Sequence, residues 1–139
     1  MSSNTRQVGQ TKDAGFQIGL RRTVPWSFRS VWGLITSPEG LSVWSGGGTV
    51  RKWARGAAIR YPDGTVGEVR VFEPGSHIRL TCHPQGWERP SIIQVRVIDQ
   101  GDRSVIAFHQ EQIPDSKRRE DRRTFFKQAV ALLEQRLIP

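Results

Sequence analysis

Apolar residues recur at every second position through much of the chain after residue 65, and this period constrains the fold more than any other feature. Side chains alternate between the two faces of a strand, so such a segment predicts a strand with one buried and one solvated face. Turn sequences such as Pro62-Asp63-Gly64 and Glu73-Pro74-Gly75 separate the segments. Strands joined by short turns predict an antiparallel sheet. The segments are 66–72, 78–82, 93–97 and 104–112.

Two short helices are predicted ahead of these strands. A first strand spans Phe16–Val24, and Pro25 suits the first turn of the helix that follows it. Ser37, with Pro38 after it, predicts the beginning of the second helix, because a serine oxygen can accept a hydrogen bond from a free backbone N–H there. Further short extended runs are predicted beyond the second helix, at 49–53 and 57–61.

A long amphipathic helix is predicted to close the chain, from Asp115 or Ser116 to Leu137. Its charged first turns, 117–123, are expected to lie over solvent. The whole order predicts an α+β architecture, in which this helix covers the buried face of an antiparallel sheet of about six or seven strands. The apolar stripe of the helix is formed by Phe126, Ala129, Val130, Leu133 and Leu137.

The composition is that of one folded domain. The chain has 139 residues, 36% of them hydrophobic, and a mean hydropathy of −0.49. We expect a disordered tail over 1–14 and a single domain over 15–139. No run approaches the roughly 20 apolar residues of a membrane helix, and 1–14 lacks the apolar core of a signal peptide. The single cysteine, Cys82, has no partner for an internal disulfide, so a reducing, cytoplasmic location is expected.

Several short sequences occur in a fixed order: Arg22-Thr23-Val24-Pro25, Thr36-Ser37-Pro38-Glu39, Tyr61-Pro62-Asp63-Gly64, Gly67-Glu68-Val69 and Ile78-Arg79-Leu80-Thr81. Their order and spacing resemble the START-like (SRPBCC, helix-grip) superfamily. Within it, the chain is similar to homologues of the C-terminal domain of the heat-shock ATPase activator, and to polyketide cyclase-like proteins. It departs from that family at Ser45 and Cys82, where an aromatic residue is common, and near Gln110, where a histidine is common.

The resemblance implies a helix-grip fold, in which a curved antiparallel sheet wraps around the C-terminal helix, with a mostly apolar cavity between the two. We therefore expect binding of a small hydrophobic or amphipathic molecule, without a cofactor, oriented by Tyr61, Gln110 and Arg60. The resemblance also implies two alternatives: a protein-interaction module that regulates a chaperone ATPase, and an enzyme of the cyclase or hydrolase type. The residues expected to line the cavity are Trp32, Ile35, Trp44, Ile59, Tyr61, Val69, Val71, Ile78, Leu80, Val95, Ile106, Phe108, Gln110, Phe126 and Val130.

Residues that could carry catalysis or bind a metal are sparse. His77 and His109 alternate onto the polar faces of their strands, and the adjacent Cys82 and His83 would point to opposite faces, which does not favour a metal site. No G-x-S-x-G sequence is present. A single cysteine on the apolar side of a strand is more often part of the core than a nucleophile. No catalytic residue and no metal ligand is assigned.

A strong positive charge raises the question of an anionic partner. Lys and Arg exceed Asp and Glu by 21 to 13, which gives a net charge of +8. The densest basic stretch holds Arg51, Lys52, Arg55 and Arg60 around Trp53. Strand alternation would place Arg51 and Lys52 on opposite faces and divide the basic patch between them. Nucleic-acid binding is therefore not the favoured interpretation. A monomer or a homodimer is expected.

Overall fold

The computed structural model describes residues 15–137, and the predicted tail over 1–14 lies outside that part of the chain. Strands and helices follow one another in the order expected for an α+β fold. In chain order they are β1 (Phe16–Val24), α1 (Phe28–Thr36), α2 (Pro38–Ser45), β2 (Ala58–Arg60), β3 (Val66–Glu73), β4 (His77–Cys82), β5 (Ser91–Asp99), β6 (Ser104–Ile113) and α3 (Ser116–Leu137).

All six strands belong to one antiparallel, curved sheet with the order β1-β6-β5-β4-β3-β2. The first strand therefore lies beside the last, and Leu20 of β1 pairs with Phe108 of β6. Helix α3 follows β6 and packs against β1, β6, α1 and α2. The predicted architecture, a curved sheet around a long C-terminal helix, is confirmed.

Serine residues cap the N-termini of the two short helices and determine where they begin. The Ser27 hydroxyl accepts a hydrogen bond from the Ser30 backbone N–H at 3.3 Å, and α1 therefore begins at Phe28 rather than at Pro25. Ser37 ends α1 and begins α2, where its hydroxyl accepts from the Gly40 N–H at 3.0 Å. Ser37 thus has the predicted capping role, and the two helices share one junction.

The extended run predicted over 49–53 is wrong beyond its first residue. Thr49 pairs with Arg60 as an isolated bridge, whereas Arg51 and Lys52 form an exposed bend. The cause lies in Trp53, whose indole N–H donates to the Thr36 carbonyl at 2.9 Å. This bond draws the segment toward the junction of α1 and α2 and away from the sheet edge.

The core lies between the concave face of the sheet and the helices. Phe126, Ala129, Val130 and Leu133 of α3 are buried there, with at most 2% of each exposed. The Trp44 indole is fully buried and donates to the Ile35 carbonyl at 3.0 Å, which joins α2 to α1. Within residues 15–137, no helix has both the length and the apolar character needed to cross a bilayer.

Candidate functional site

A pocket of about 180 Å³ opens where α3, the end of α2, the turn between β2 and β3 and the end of β4 meet. We call it the Arg122 pocket, after the α3 side chain that reaches it. It is smaller than the roughly 300–1,000 Å³ typical of pockets that enclose a whole ligand. Its lining residues are Ser45, Gly46, Tyr61, Asp63, Thr65, Cys82, His83, Pro84, Gln85 and Arg122.

A chain of hydrogen bonds holds Arg122 in place. Its Nε donates to Oε1 of Gln110 at 2.7 Å. The Gln110 amide then donates from Nε2 to the Ser91 hydroxyl at 2.8 Å, and that hydroxyl donates to the Cys82 carbonyl at 2.6 Å. Gln110 and Ser91 are completely buried. This series of hydrogen bonds fixes the orientation of the Gln110 amide, so the amide oxygen faces the guanidinium.

Two aromatic rings flank the same guanidinium. The central carbon of the group lies 4.1 Å from the centroid of the Phe125 ring and 5.2 Å from that of Phe126. Burial lowers the pKa of Arg122, because removal from water disfavours the charged form. The group nevertheless stays protonated, as arginine does in proteins generally. A positive charge is therefore held in a largely apolar surrounding.

Arg122 lacks the usual compensation for such a charge. No carboxylate among residues 15–137 forms an ion pair with it, and its Nη2 atom is buried without a hydrogen-bond partner in that part of the chain. By contrast, the preceding basic residues of α3 are paired: Lys117 with Asp121, Arg118 with Asp115 and Arg119 with Glu120. The pocket therefore contains an unused, positively charged donor.

Tyr61 supplies a second unused group. Its hydroxyl is buried, and no hydrogen-bond partner for it occurs among the described residues. Burial raises the pKa of Tyr61 well above its ordinary value of 10.0, and the nearby Cys82 thiol acts in the same direction. The Cys82 thiol and the Ser45 hydroxyl are both close enough to influence the pKa of Tyr61, but neither has hydrogen-bond geometry to the phenol oxygen. The phenol is therefore neutral and able to donate.

The rest of the pocket is neutral apart from its rim. Burial raises the pKa of the Cys82 thiol, which keeps the sulfur protonated and unsuited to nucleophilic attack. At the rim, the Asp63 carboxylate is exposed, and the side chain and the backbone N–H of Thr65 lower its pKa, the N–H donating to Oδ1 at 2.9 Å. Nε2 of His83 lies 2.6 Å from the Trp87 carbonyl and, facing an acceptor, carries hydrogen. Among residues 15–137, no three His, Cys, Asp or Glu side chains converge as metal ligands.

The structure divides the fifteen residues expected to line a cavity into three groups. Tyr61 lines the Arg122 pocket, and Gln110 is bonded to Arg122. Trp32 and Val71 are half-buried, and Trp32 stacks on Phe28 with ring centroids 5.8 Å apart. The others lie in the core with at most 2% of each exposed: Ile35, Trp44, Ile59, Val69, Ile78, Leu80, Val95, Ile106, Phe108, Phe126 and Val130. Arg60, also expected to orient a ligand, is exposed and borders a different cleft.

Arg122 itself was missed, because it belongs to the charged stretch 117–123 that we expected to face solvent. A helical signal was present: Arg122 precedes Phe126 by four residues and Val130 by eight, so the three share one face. The departures from the family pattern were a second signal. Ser45 and Cys82 both line the Arg122 pocket, and Gln110 bonds to Arg122.

Three clefts with larger volumes than the Arg122 pocket are weaker candidates for a ligand site. They measure about 370, 410 and 260 Å³. The cleft of about 410 Å³ is lined by four exposed basic residues, Arg51, Lys52, Arg55 and Arg60. Because 51–52 form a bend and not a strand, these side chains surround one depression instead of lying on two opposite faces. The only buried, unpartnered side-chain atoms in the described part of the chain, however, belong to Tyr61 and Arg122. We therefore take the Arg122 pocket as the candidate site.

Residues 26–137 match the family model described as Activator of Hsp90 ATPase homolog 1-like protein. The match spans most of the chain, and the chain therefore belongs to this family. The resemblance to START-like, helix-grip proteins drawn from the sequence is confirmed. No curated protein shows a significant match.

Solved structures share the fold at low sequence identity. CalU16 from Micromonospora echinospora has a TM-score of 0.72 and 16% identity, and the alignment covers 89% of this chain and 76% of CalU16. DynU16, a protein of the dynemicin biosynthetic locus, has a TM-score of 0.72 and 16% identity over 87% of this chain and 46% of its own. A protein from Chromobacterium violaceum has a TM-score of 0.70 and 20% identity over 88% and 97%. At these identities the likeness is one of fold alone.

Proposed function

We propose that this protein binds a small amphipathic molecule whose polar end enters the Arg122 pocket. The observation that carries the proposal is that Arg122 and Tyr61, which both line this pocket, each hold a buried donor without a partner among the described residues. A buried polar group without a partner costs about 1–3 kcal/mol. Two such groups at one pocket are explained when a ligand supplies the missing acceptor.

The surroundings also offer apolar contact. Phe125 is half-buried and lies beside Gly46 at the pocket, where a Cβ placed on that glycine would be 3.7 Å from its ring. Pro84 and the Tyr61 ring contribute further apolar surface. Of the residues expected to line a cavity, Tyr61 contacts the ligand in this proposal and Gln110 positions Arg122. The remaining thirteen support the site from the core and the flanking elements.

We favour binding over catalysis. Among the pocket-lining residues, Tyr61 and Cys82 have pKa values raised by burial, and both are therefore neutral at physiological pH. A general acid or base works best when its pKa lies near the operating pH. These groups suit recognition of an acceptor better than transfer of a proton.

A screen of amphipathic compounds by two-dimensional NMR tests the proposal. Binding should shift the backbone resonances of Gly46, Thr65 and Cys82, which surround the pocket. Gln85→Trp, at the rim, should weaken binding by narrowing the mouth. Gln135→Trp, exposed near the end of α3, is the matched control and should bind as the wild type does. If no compound shifts the pocket resonances, the proposed function is wrong.

The family match supports a second, separate proposal, regulation of a chaperone ATPase. Such a role would depend on an exterior surface rather than on the Arg122 pocket. Adding the purified protein to Hsp90 and measuring ATP turnover tests it directly. An increase that persists in Arg122→Met would support a surface role, whereas unchanged turnover would overturn it.

A further inference from the structure

The unused groups of the Arg122 pocket define what kind of polar end a ligand can carry. Nη2 of Arg122 can only donate a hydrogen bond. The Tyr61 hydroxyl is free to donate as well, because no acceptor among the described residues is bonded to it. Both donors are buried atoms on side chains that line one pocket, so a ligand that reaches both needs an acceptor group with at least two lone-pair sites. A carbonyl, a carboxylate and a phosphate all meet that requirement.

The charge of Arg122 narrows the choice among these three ligand groups. The guanidinium brings one positive charge, and no described carboxylate neutralises it through an ion pair. Lys117, Arg118 and Arg119 each have an acidic partner. Arg123 and Lys127 have none among the described residues but are exposed to water, whereas Arg122 holds a buried guanidinium nitrogen without a partner. Charge-assisted hydrogen bonds are about twice as strong as neutral ones. An anion would therefore gain more from this pocket than a neutral carbonyl group would.

The size of the pocket and its rim favour a single negative charge. A volume of about 180 Å³ admits a small head group with a short apolar segment. The Asp63 carboxylate stands at the rim, and it would repel a doubly charged phosphate more strongly than a carboxylate. A planar carboxylate presents two oxygens, one for each donor.

We propose that the Arg122 pocket recognises a carboxylate, with one oxygen accepting from Nη2 of Arg122 and the other from the Tyr61 hydroxyl. This inference rests on the proposed function. Gln110 is a positioning residue here, since it holds Nε of Arg122 at 2.7 Å and leaves Nη2 for the ligand. The ligand class is thus a small amphipathic carboxylic acid.

Matched pairs of probes test the inference. Octanoate is compared with octanamide, and 2-naphthoate with 2-naphthamide, because each amide keeps the shape of the acid and removes its charge. Dissociation constants are measured by NMR titration at low ionic strength. In the wild type, each acid should bind at least about tenfold more tightly than its amide, in line with the strength of a charge-assisted bond.

Variants of Arg122 and Tyr61 test whether the tighter binding of acids depends on these two donors. Arg122→Met should reduce the acid-to-amide ratio to about one, and Tyr61→Phe should reduce it in part. Arg123→Met removes the same charge from an exposed neighbouring position and should keep the wild-type ratio. Arg122→Gln serves as a second variant should Arg122→Met fail to fold, which circular dichroism would reveal.

The outcomes separate the two proposals. If acids and amides bind the pocket equally well, the carboxylate inference is overturned and the proposed function stands. If octyl phosphate binds more tightly than octanoate and depends on Arg122, the pocket selects a phosphate and the inference is again overturned. If no amphipathic probe binds the pocket at all, the proposed function itself fails.

Discussion

Arg122 of α3 donates from Nε to Oε1 of the buried Gln110 of β6 at 2.7 Å. This bond joins the C-terminal helix to β6, the strand beside the edge strand β1, and determines which face of the guanidinium stays free. Because Gln110 is also bonded through Ser91 to the end of β4, its amide cannot turn without breaking that contact. The position of the free donor is therefore set by the sheet rather than by the helix alone.

The first prediction concerns the stability of this pair. Gln110→Leu alone removes the only hydrogen-bond partner of a buried charge found in the described residues, so the free energy of unfolding should fall by about 1–3 kcal/mol. Gln110→Leu combined with Arg122→Met removes both polar partners and should recover most of that loss, or exceed the wild type. Urea denaturation measures both proteins.

A structural role for Arg122 would give the opposite order. If the guanidinium mainly stabilised the fold, the double variant would be less stable than Gln110→Leu. Arg123→Met, at an exposed position on the same helix, is the control and should change the unfolding free energy by less than about 0.5 kcal/mol.

The second prediction concerns the Tyr61 hydroxyl. Tyr61→Phe keeps the ring and removes a buried group without a partner, so stability should stay the same or rise by up to about 1 kcal/mol. Thermal unfolding followed by circular dichroism provides the measurement. Removing a hydroxyl that is hydrogen-bonded costs about 0.5–1.5 kcal/mol, so a loss of more than about 1 kcal/mol would mean that the hydroxyl is bonded in solution.

The sequence predicts the fold well because the relevant pattern is local. Alternation along 78–82 and 93–97 shows which face of each strand is buried, and the stripe on α3 shows which face meets the sheet. That pattern does not show whether the space between the two faces is filled. In this protein Phe108 and Phe126 stack with ring centroids 5.0 Å apart, a contact between β6 and α3 that no local pattern contains.

The site was harder to predict for a related reason. Arg122, Tyr61 and Cys82 lie far apart in sequence, and only the completed fold brings them to one pocket. The charged stretch around Arg122 has the composition of a solvated helix face, and Lys117, Arg118 and Arg119 are indeed paired with acidic residues. The spacing of four residues between Arg122 and Phe126 is the one local indication that Arg122 is buried.

The third prediction tests the packing of α1 and α2 with two glycines. A Cβ added to Gly40 would lie 1.8 Å from the Leu34 carbonyl oxygen, a backbone atom that cannot move aside. Gly40→Ala should therefore cost more than about 2 kcal/mol. A Cβ added to Gly33, inside α1, would have no neighbour within 4 Å. Gly33→Ala should raise the unfolding free energy by about 0.5–1 kcal/mol, because alanine favours the helix.

Chemical denaturation of these two variants gives a matched comparison. They carry the same substitution seven residues apart and should shift stability in opposite directions. Equal effects would show that the junction at Ser37 is looser than its hydrogen bonds of 3.0 Å and 2.7 Å indicate.

The last prediction concerns alkaline pH. Burial raises the pKa of both Cys82 and Tyr61 above their ordinary values of 9.0 and 10.0. Above about pH 9, the unfolded chain releases these protons while the folded chain retains them. The unfolded state then binds fewer protons, and stability must fall as the pH rises. Each group contributes a slope of at most about 1.4 kcal/mol per pH unit, beginning at its own unfolded pKa.

Unfolding free energies measured from pH 7 to 11 should therefore be level at first and decline from about pH 9, with a steeper decline above pH 10. The Cys82→Ala/Tyr61→Phe variant removes both groups and should lose most of the decline, whatever its stability at pH 7. Cys82→Ala alone should keep the part that begins near pH 10. A profile of the double variant that parallels the wild type would show that other groups, and not the pocket, govern the alkaline response.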